Sequence, residues 1–340
     1  MPALLTGPEH QYVQITDLDP ADEQALLELH ELGCACDPVD RPHVPPPTLA
    51  ETTVELSRAY PGSDLLTLLA RVDDGRLAGY ASLALPVADN TANALVDIVI
   101  HPDLRRRGVG TALAAATRER LRAHGRTVAI GFVRSDSPGV PFAAALGARE
   151  QVSRLRNILY LDTVSAEVID GLLTEATTRA AGYELARMTG SVPGGYLEQV
   201  AAMYEVMNDA PLESGALEDE KWTPERVADA DDWLLSKGDR VYTILATRTE
   251  TGQPAGMTRL AVRAAGDLAV QLDTAVAAAH RGRRLGNLMK ATMLRWLMEA
   301  EPQVRRITTF NAASNVHMIA VNKALGFVPV ERWISVELAV

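Results

Sequence analysis

Short apolar runs rich in β-branched residues alternate with helical stretches along this chain, and the series occurs twice. In the first half, ADEQALLELHELG predicts a helix, LLTLLARVD and RLAGYASLALP predict strands, and ALVDIVIHP predicts a third strand. TALAAATRERLRAHG then shows apolar spacing of three and four, RTVAIGFV reads as a strand, and a short helix ends at Gly147 before the closing strand RNILYLD. The second half repeats this with GGYLEQVAAMYEVMN, VYTILATRT, PAGMTRLAV, AVQLDTAVA, NLMKATMLRWLMEAE, RRITTFNA and a short helix ending at Gly326. The turn residues of TRTETGQP predict a hairpin loop, and the glycine after each short helix suits a C-cap.

Three landmarks hold nearly one offset: Gly79 to Gly256 (177), Gly110 to Gly286 (176) and Gly147 to Gly326 (179). They predict two copies of one domain. Each copy reads as α+β on a mixed, mostly antiparallel sheet flanked by helices, not as a series of βαβ repeats. The expected division is residues 1–165 and 180–340, with a linker at about 165–180 around AEVIDGLLTEATTRAAG. PHVPPPTLAETTVELSRAYPG is expected to be a Pro-rich loop.

In both copies the third strand feeds a turn dense in arginine and glycine that opens a helix. The first turn is Arg105, Arg106, Arg107, Gly108, Val109, Gly110 and Thr111; the second is Arg281, Gly282, Arg283, Arg284, Leu285, Gly286 and Asn287. A helix start leaves four backbone N–H groups without intrahelical partners, and its dipole favours negative charge. Glycine permits positive φ and close approach of a ligand. Such a turn is an anion site, suited to a pyrophosphate. A dinucleotide-binding G-x-G-x-x-G and a Gly-Lys-Ser/Thr phosphate loop are both missing.

Composition narrows the ligand. A net charge of −11 and only 5% aromatic residues oppose nucleic-acid binding by phosphate neutralisation or base stacking. The two cysteines, Cys34 and Cys36, have the wrong spacing for a C-x-x-C pair, so no metal site is expected and both read as free thiols. No apolar segment approaches the length of a membrane helix, and a cytoplasmic protein is expected.

Turn, repeat, strand order and the ALGF ending together resemble a tandem GCN5-related N-acetyltransferase (GNAT) over nearly the whole chain. That family's signature is Arg/Gln-x-x-Gly-x-Gly/Ala. Arg105-x-x-Gly108-x-Gly110 matches it; Arg281-x-x-Arg284-x-Gly286 departs at Arg284. The resemblance implies acetyl-CoA or another short acyl-CoA, and transfer to the primary amine of a small molecule by direct attack in a ternary complex. It implies that the strand ends Ile98, Val99 and Ile100, and Thr274, Ala275 and Val276, join the two turns in holding the acyl-CoA. It also places Asn311 and Asn315 near pantetheine and Asn322 near the thioester sulfur. Where many members carry a tyrosine as general acid, this chain has Asn322 and Ala143.

Asp97 and Asp273 stand on the strands before the turns as candidate bases. The second half, with the fuller pantetheine element, is expected to be catalytic. Its candidate acceptor wall holds Glu213, Glu218, Asp219 and Glu220. Catalysis in the first half, a non-catalytic acyl-CoA sensor or scaffold, and an aminoacyl transferase using charged tRNA stay open. The expected state is monomer or homodimer.

Overall fold

A computed structural model describes residues 12–209 and 217–340. Contacts divide them into two compact units. Unit 1 takes the described residues up to Gln151, residues 217–218 and Ile334–Val340; unit 2 takes Val152 to Asp209 and Asp219–Trp333.

In unit 1, strands β1 (Val13–Asp17), β2 (Ser63–Val72), β3 (Leu77–Pro86) and β4 (Asn93–Ile100) pair antiparallel in sequence order, and β5 (Val128–Arg134) joins β4 in parallel. Helices α1 (Glu23–Asp40) and α2 (Leu49–Ser57) pack on one face through Leu29, Leu32, Leu56, Leu69 and Tyr80. On the other, α3 (Val109–Ala123) packs Leu113 and Leu121 against Leu68, Ala70 and Leu83. Neighbouring strand residues point to opposite faces, so Leu68 and Leu69 serve different cores, and the strand reads as a continuous apolar run. The short helix α4 (Gly139–Ala145) follows β5. Helix α2 corrects the expected loop over 42–62. Thr48 and Glu51 form a reciprocal capping box, and that T-x-x-E spacing is the sequence signal for it.

Unit 2 contains most of β6 (Arg149–Tyr160), then α5 (Ala166–Arg179), β7 (Tyr183–Thr189), α6 (Leu197–Glu205), α7 (Pro224–Ser236) and β8 (Arg240–Arg248). β9 (Pro254–Val262), β10 (Leu268–Val276), α8 (Leu285–Ala300), β11 (Arg306–Ala312), α9 (Val316–Ala324) and β12 (Val328–Ala339) complete the chain. Its strand order is β7-β8-β9-β10-β11-β6. The expected hairpin joins β8 and β9. The division differs from the expected one in two ways. Residues 165–180 are no linker: Ser165 caps α5, whose Ile169 and Ala176 are buried in the unit 2 core. The closing strands are also exchanged: β6 passes into unit 2 from Val152, while Ile334–Val340 belong to unit 1, where Val340 N–H donates to Thr127 O (3.0 Å).

Two details of the sheets position the candidate sites. β4 pairs with β5 only over Asn93–Leu95, and β10 with β11 only over Leu268–Val270. Beyond these short ladders the parallel strands separate, leaving the facing backbones of Val96–Ile100 and Gln271–Val276 without that partner. The landmark glycines hold the neighbouring strands close. A Cβ on Gly79 would lie 2.5 Å from Val99 O, and one on Gly256 would lie 2.8 Å from Met289 Cε and 3.1 Å from Ala275 O. Among the described residues no helix is long and apolar enough to cross a membrane.

Candidate active site

Each strand–turn–helix makes the expected turn, with two left-handed positions two residues apart. In the first they are Arg106 (φ 64°) and Gly108 (φ 87°); in the second, Gly282 (φ 78°) and Arg284 (φ 59°). One glycine and one arginine serve each turn, in exchanged order. The departure at Arg284 therefore keeps the backbone course, with the strained position moved rather than added. The signature arginines turn back onto the strand ends, Arg105 largely covered and Arg281 still exposed. Arg105 Nε donates to Ile100 O (3.0 Å) and its Nη2 to Asp40 (2.6 Å). Arg281 does the same with Val276 O (3.0 Å) and Asp209 (2.6 Å). Each ties the strand end to a helical region, the one between β1 and β2 in unit 1 and the one between β7 and β8 in unit 2.

The remaining turn residues divide by burial. Val109, Leu285 and Asn287 are buried, so they offer a ligand only backbone N–H; Arg106, Arg107, Thr111 and Arg283 are exposed. Arg284 pairs with Glu175 at 3.0 Å on the surface. The strand ends are likewise packed: Ile98, Ile100 and Val276 lie against the helix-side cores, Val99 and Ala275 against the opposite ones, and Thr274 bonds Thr258 (Oγ1–Oγ1 2.8 Å). Their side chains are thus committed to packing, and what faces the splay is the backbone edge that does not pair with β5 or β11. The turns differ in access. A Cβ on Gly286 would meet nothing nearer than Val276 Cγ2 at 3.9 Å, whereas one on Gly110 would lie 3.3 Å from the Phe142 ring. The open helix start at Gly286, with its free backbone donors, fits a pyrophosphate.

The two candidate acids stand on unlike backbones. β4 runs regularly through Asp97, opposite Ser82. β10 is irregular between Gln271 and Thr274, so Leu272 and Asp273 share one partner position, opposite Arg259. A bulge of this kind re-aims side chains and is common beside active sites. Arg259 is fully buried and ion-paired with the equally buried Asp231, donating also to Thr243 Oγ1 (3.0 Å) and Tyr204 Oη (2.5 Å). Tyr204 stacks on Trp222 at 4.0 Å. Asp97 reaches solvent in a crowded setting. The surrounding protein pushes its carboxyl above the usual range, Arg41 opposes this, and Asp40 and Asp37 add to it. Cys36, distant in sequence, lies here: its Sγ is 3.5 Å from Ile100 O, and burial pushes the thiol up to about 11. That removes it as a nucleophile at neutral pH. Among the described residues no His, Cys, Asp and Glu group is arranged to hold a metal ion.

The asparagines separate into a cap and a network. Asn315 accepts from Met318 N–H (3.1 Å) as the N-cap of α9. Asn322 Nδ2 donates to Asn311 Oδ1 (2.7 Å), and Asn322 Oδ1 accepts from Lys290 Nζ (2.7 Å). Lys290 is the residue that sequence reasoning missed. It is buried on α8, with Nζ 5.5 Å from the Phe327 ring centroid, and desolvation pulls its pKa down to about 7. Its signal was present: Lys290 stands four and seven residues before Leu294 and Leu297, within the buried stripe of that helix.

The expected acceptor wall is only partly assembled. Glu218 belongs to unit 1, where its N–H donates to Asn90 Oδ1 (2.6 Å). Glu220 accepts from Trp222 Nε1 (3.1 Å), while its backbone N–H donates to Asn208 Oδ1 (3.1 Å). Asp219 is in unit 2, and Glu213 lies outside the described residues.

With splayed strands and a glycine–arginine turn opening a helix in both units, the fold is that of an acyltransferase. The acetyltransferase (GNAT) family model matches residues 26–148 and 200–327, and the chain belongs to that family. It is 39% identical over 124 residues to a mycothiol acetyltransferase of Kineococcus radiotolerans, covering 36% of this chain and 38% of that protein. Over such stretches the chain spans well under half of those relatives' length. A mycothiol acetyltransferase of Stackebrandtia nassauensis is 28% identical over 329 residues, 93% of this chain and 94% of that protein. Among solved structures, a tandem GNAT protein from the clavulanic acid biosynthesis pathway is 29% identical with a TM-score of 0.79, covering 96% of this chain and 98% of that one. A GCN5-related N-acetyltransferase from Sphaerobacter thermophilus shares the fold at 19% identity and TM-score 0.64, covering 96% and 95%.

Proposed function

We propose that the chain is an acetyl-CoA-dependent N-acetyltransferase acting on the primary amine of a small molecule, with the chemistry in unit 2. The observation that carries this reading is the combination in unit 2 of an open turn at Gly286, a bulged strand at Asp273 and the Lys290–Asn322–Asn311 network. The turn from Arg281 to Asn287 holds the pyrophosphate on backbone N–H groups. Asn311 bonds the pantetheine arm. Lys290 can only donate when protonated, so it fixes the Asn322 amide with its nitrogen toward Asn311.

The acceptor amine gives its proton to Asp273, directly or through a water, and its nitrogen attacks the thioester carbonyl carbon. Backbone N–H of the strand ending at Val276 polarises the carbonyl oxygen, a contribution of about 3–4 kcal/mol in comparable sites. The C–S bond breaks and the sulfur leaves beside Asn322. A thiol pKa of about 8.5 makes a strong acid unnecessary, which suits a site with no tyrosine there. The relatives' names make a mycothiol-related amine the first acceptor to try. Asp273→Asn tests the reading: kcat falls while acetyl-CoA affinity holds, and an unchanged kcat removes Asp273 as the base.

A further inference from the structure

The bulge that carries Asp273 is clasped by a buried polar chain. Gln271 precedes the bulge on β10 and Thr274 follows it. The Gln271 side chain is buried, and its Nε2 donates to Arg259 O (2.5 Å), the carbonyl of the residue opposite the bulge, and to Thr258 Oγ1 (3.2 Å). An amide nitrogen has two hydrogens, so both are used. Thr258 is fully buried and bonds Thr274 (Oγ1–Oγ1 2.8 Å). Having accepted from Gln271, its hydroxyl still has a hydrogen to give to Thr274. The chain therefore ties the two flanks of the bulge to one residue of β9. Thr258 alternates with Leu260 and Val262 of the core under α8, so these polar groups lie among apolar side chains. Burying them there costs free energy unless they pair with one another.

Unit 1 has the same strand pair without the clasp. By the repeat offsets Gln271, Thr258 and Thr274 correspond to Leu95, Ala81 and Ile98, none of which has a polar side chain. β4 pairs Ile98 with Ala81 and Leu95 with Ala84, an interval of three residues on each strand. In unit 2 the interval from Gln271 to Thr274 is three residues on β10 against two, Thr258 to Leu260, on β9. Both strands carry an aspartate at this level, and the bulge accompanies the clasp. We propose that Gln271 is a positioning residue, which through Thr258 and Thr274 holds the bulge and so aims Asp273 at the acceptor amine. The inference rests on the reading of Asp273 as the base.

A crystal structure of the full chain carrying Gln271→Met reads the strand directly, since methionine keeps the volume and removes both donated bonds. The Asp273 carboxylate is expected to move by about 1 Å or more, a displacement that can cost about a hundredfold in rate. A carboxylate that stays in place overturns the proposal. Thr258→Val breaks the same chain and serves should Gln271→Met fail to fold; Thr258→Ser, which keeps the hydroxyl, restores the wild-type strand. Kinetics then separates positioning from stability. The acceptor is whichever of glucosamine, ethanolamine and glycinamide wild type acetylates fastest. Gln271→Met lowers kcat about tenfold to a hundredfold with acetyl-CoA affinity retained, and has no further effect in the Asp273→Asn background. An equal loss in that background shows that Gln271 does not act through Asp273 and overturns the proposal. Unchanged kcat in Gln271→Met beside a large loss in Asp273→Asn also overturns it, while the base stands. Full kcat in Asp273→Asn itself removes the base reading, and the inference with it.

Discussion

The two units use one backbone plan and fill it with opposite chemistry. Unit 2 places a lysine, two asparagines and a phenylalanine where strand, turn and two helices converge; unit 1 places three alanines and a valine there. Unit 2 bulges its strand at the candidate base, and unit 1 keeps the strand regular. Unit 2 leaves its turn open at Gly286, while unit 1 covers Gly110 with Phe142. The difference teaches that a duplicated fold retains its backbone devices — splayed strands, left-handed turn positions, strand-tying arginines — and diverges in what the cleft contains. The fold alone therefore does not say which copy works.

The sharpest break of the comparison is at the two acids. Asp273→Asn lowers kcat by about 10²–10⁴-fold, the usual worth of a positioned general base, with acetyl-CoA affinity retained. Asp97→Asn leaves kcat within twofold. Steady-state kinetics with direct titration of acetyl-CoA checks both, and a large loss from Asp97→Asn exchanges the roles of the units.

A smaller but still large effect is on stability. Arg259→Met leaves Asp231 buried without its cationic partner and costs about 3–5 kcal/mol. Ser82, which holds the corresponding place opposite Asp97, is replaced by Ala for less than about 1 kcal/mol. Urea unfolding of the two variants separates these values.

Lys290 gives a pH signature. Its pKa in the folded protein is about 7, against about 10.4 in an unfolded chain, so between these values the unfolded state binds the extra proton. The penalty is complete below pH 7 and fades as pH rises through 10. Wild type should therefore gain stability relative to Lys290→Met between pH 7 and 9.5. A constant difference over that range shows that Lys290 titrates normally.

The smallest expected effect lies in the turns. Arg284→Gly and Arg106→Gly each remove a non-glycine residue from the left-handed region and stabilise by about 1 kcal/mol. The exposed Arg284–Glu175 pair offsets little of this gain. Thermal unfolding of the two variants is the check, and destabilisation by Arg284→Gly shows that its pairing outweighs the strain.

Much of this was legible in the chain. Local patterns fix strands and helices when one face is apolar, so both copies, the hairpin at TRTETGQP and the two anion turns could be read directly. The capping box at Thr48 and Glu51 was equally legible, yet the prolines before it favoured a loop reading. Other features depend on partners that no local pattern specifies. The exchange of β6 and the end of β12 is a choice between two equivalent sheet edges. The bulge at Asp273 is one extra residue that shows only in the register with β9. The ion pairs of Arg105 and Arg281 could not be read because their acceptors, Asp40 and Asp209, lie more than sixty residues away. Cys36 is the converse, remote in sequence and adjacent to the first turn in space.

The central claim is that unit 2 performs the transfer. It is tested most directly by the acetyl-transfer rate of the Gly286→Trp chain, measured beside Gly110→Trp with the same amine acceptor. The account predicts that Gly286→Trp abolishes transfer and that Gly110→Trp retains it. Loss of transfer in Gly110→Trp with full activity in Gly286→Trp would contradict it and assign the chemistry to unit 1.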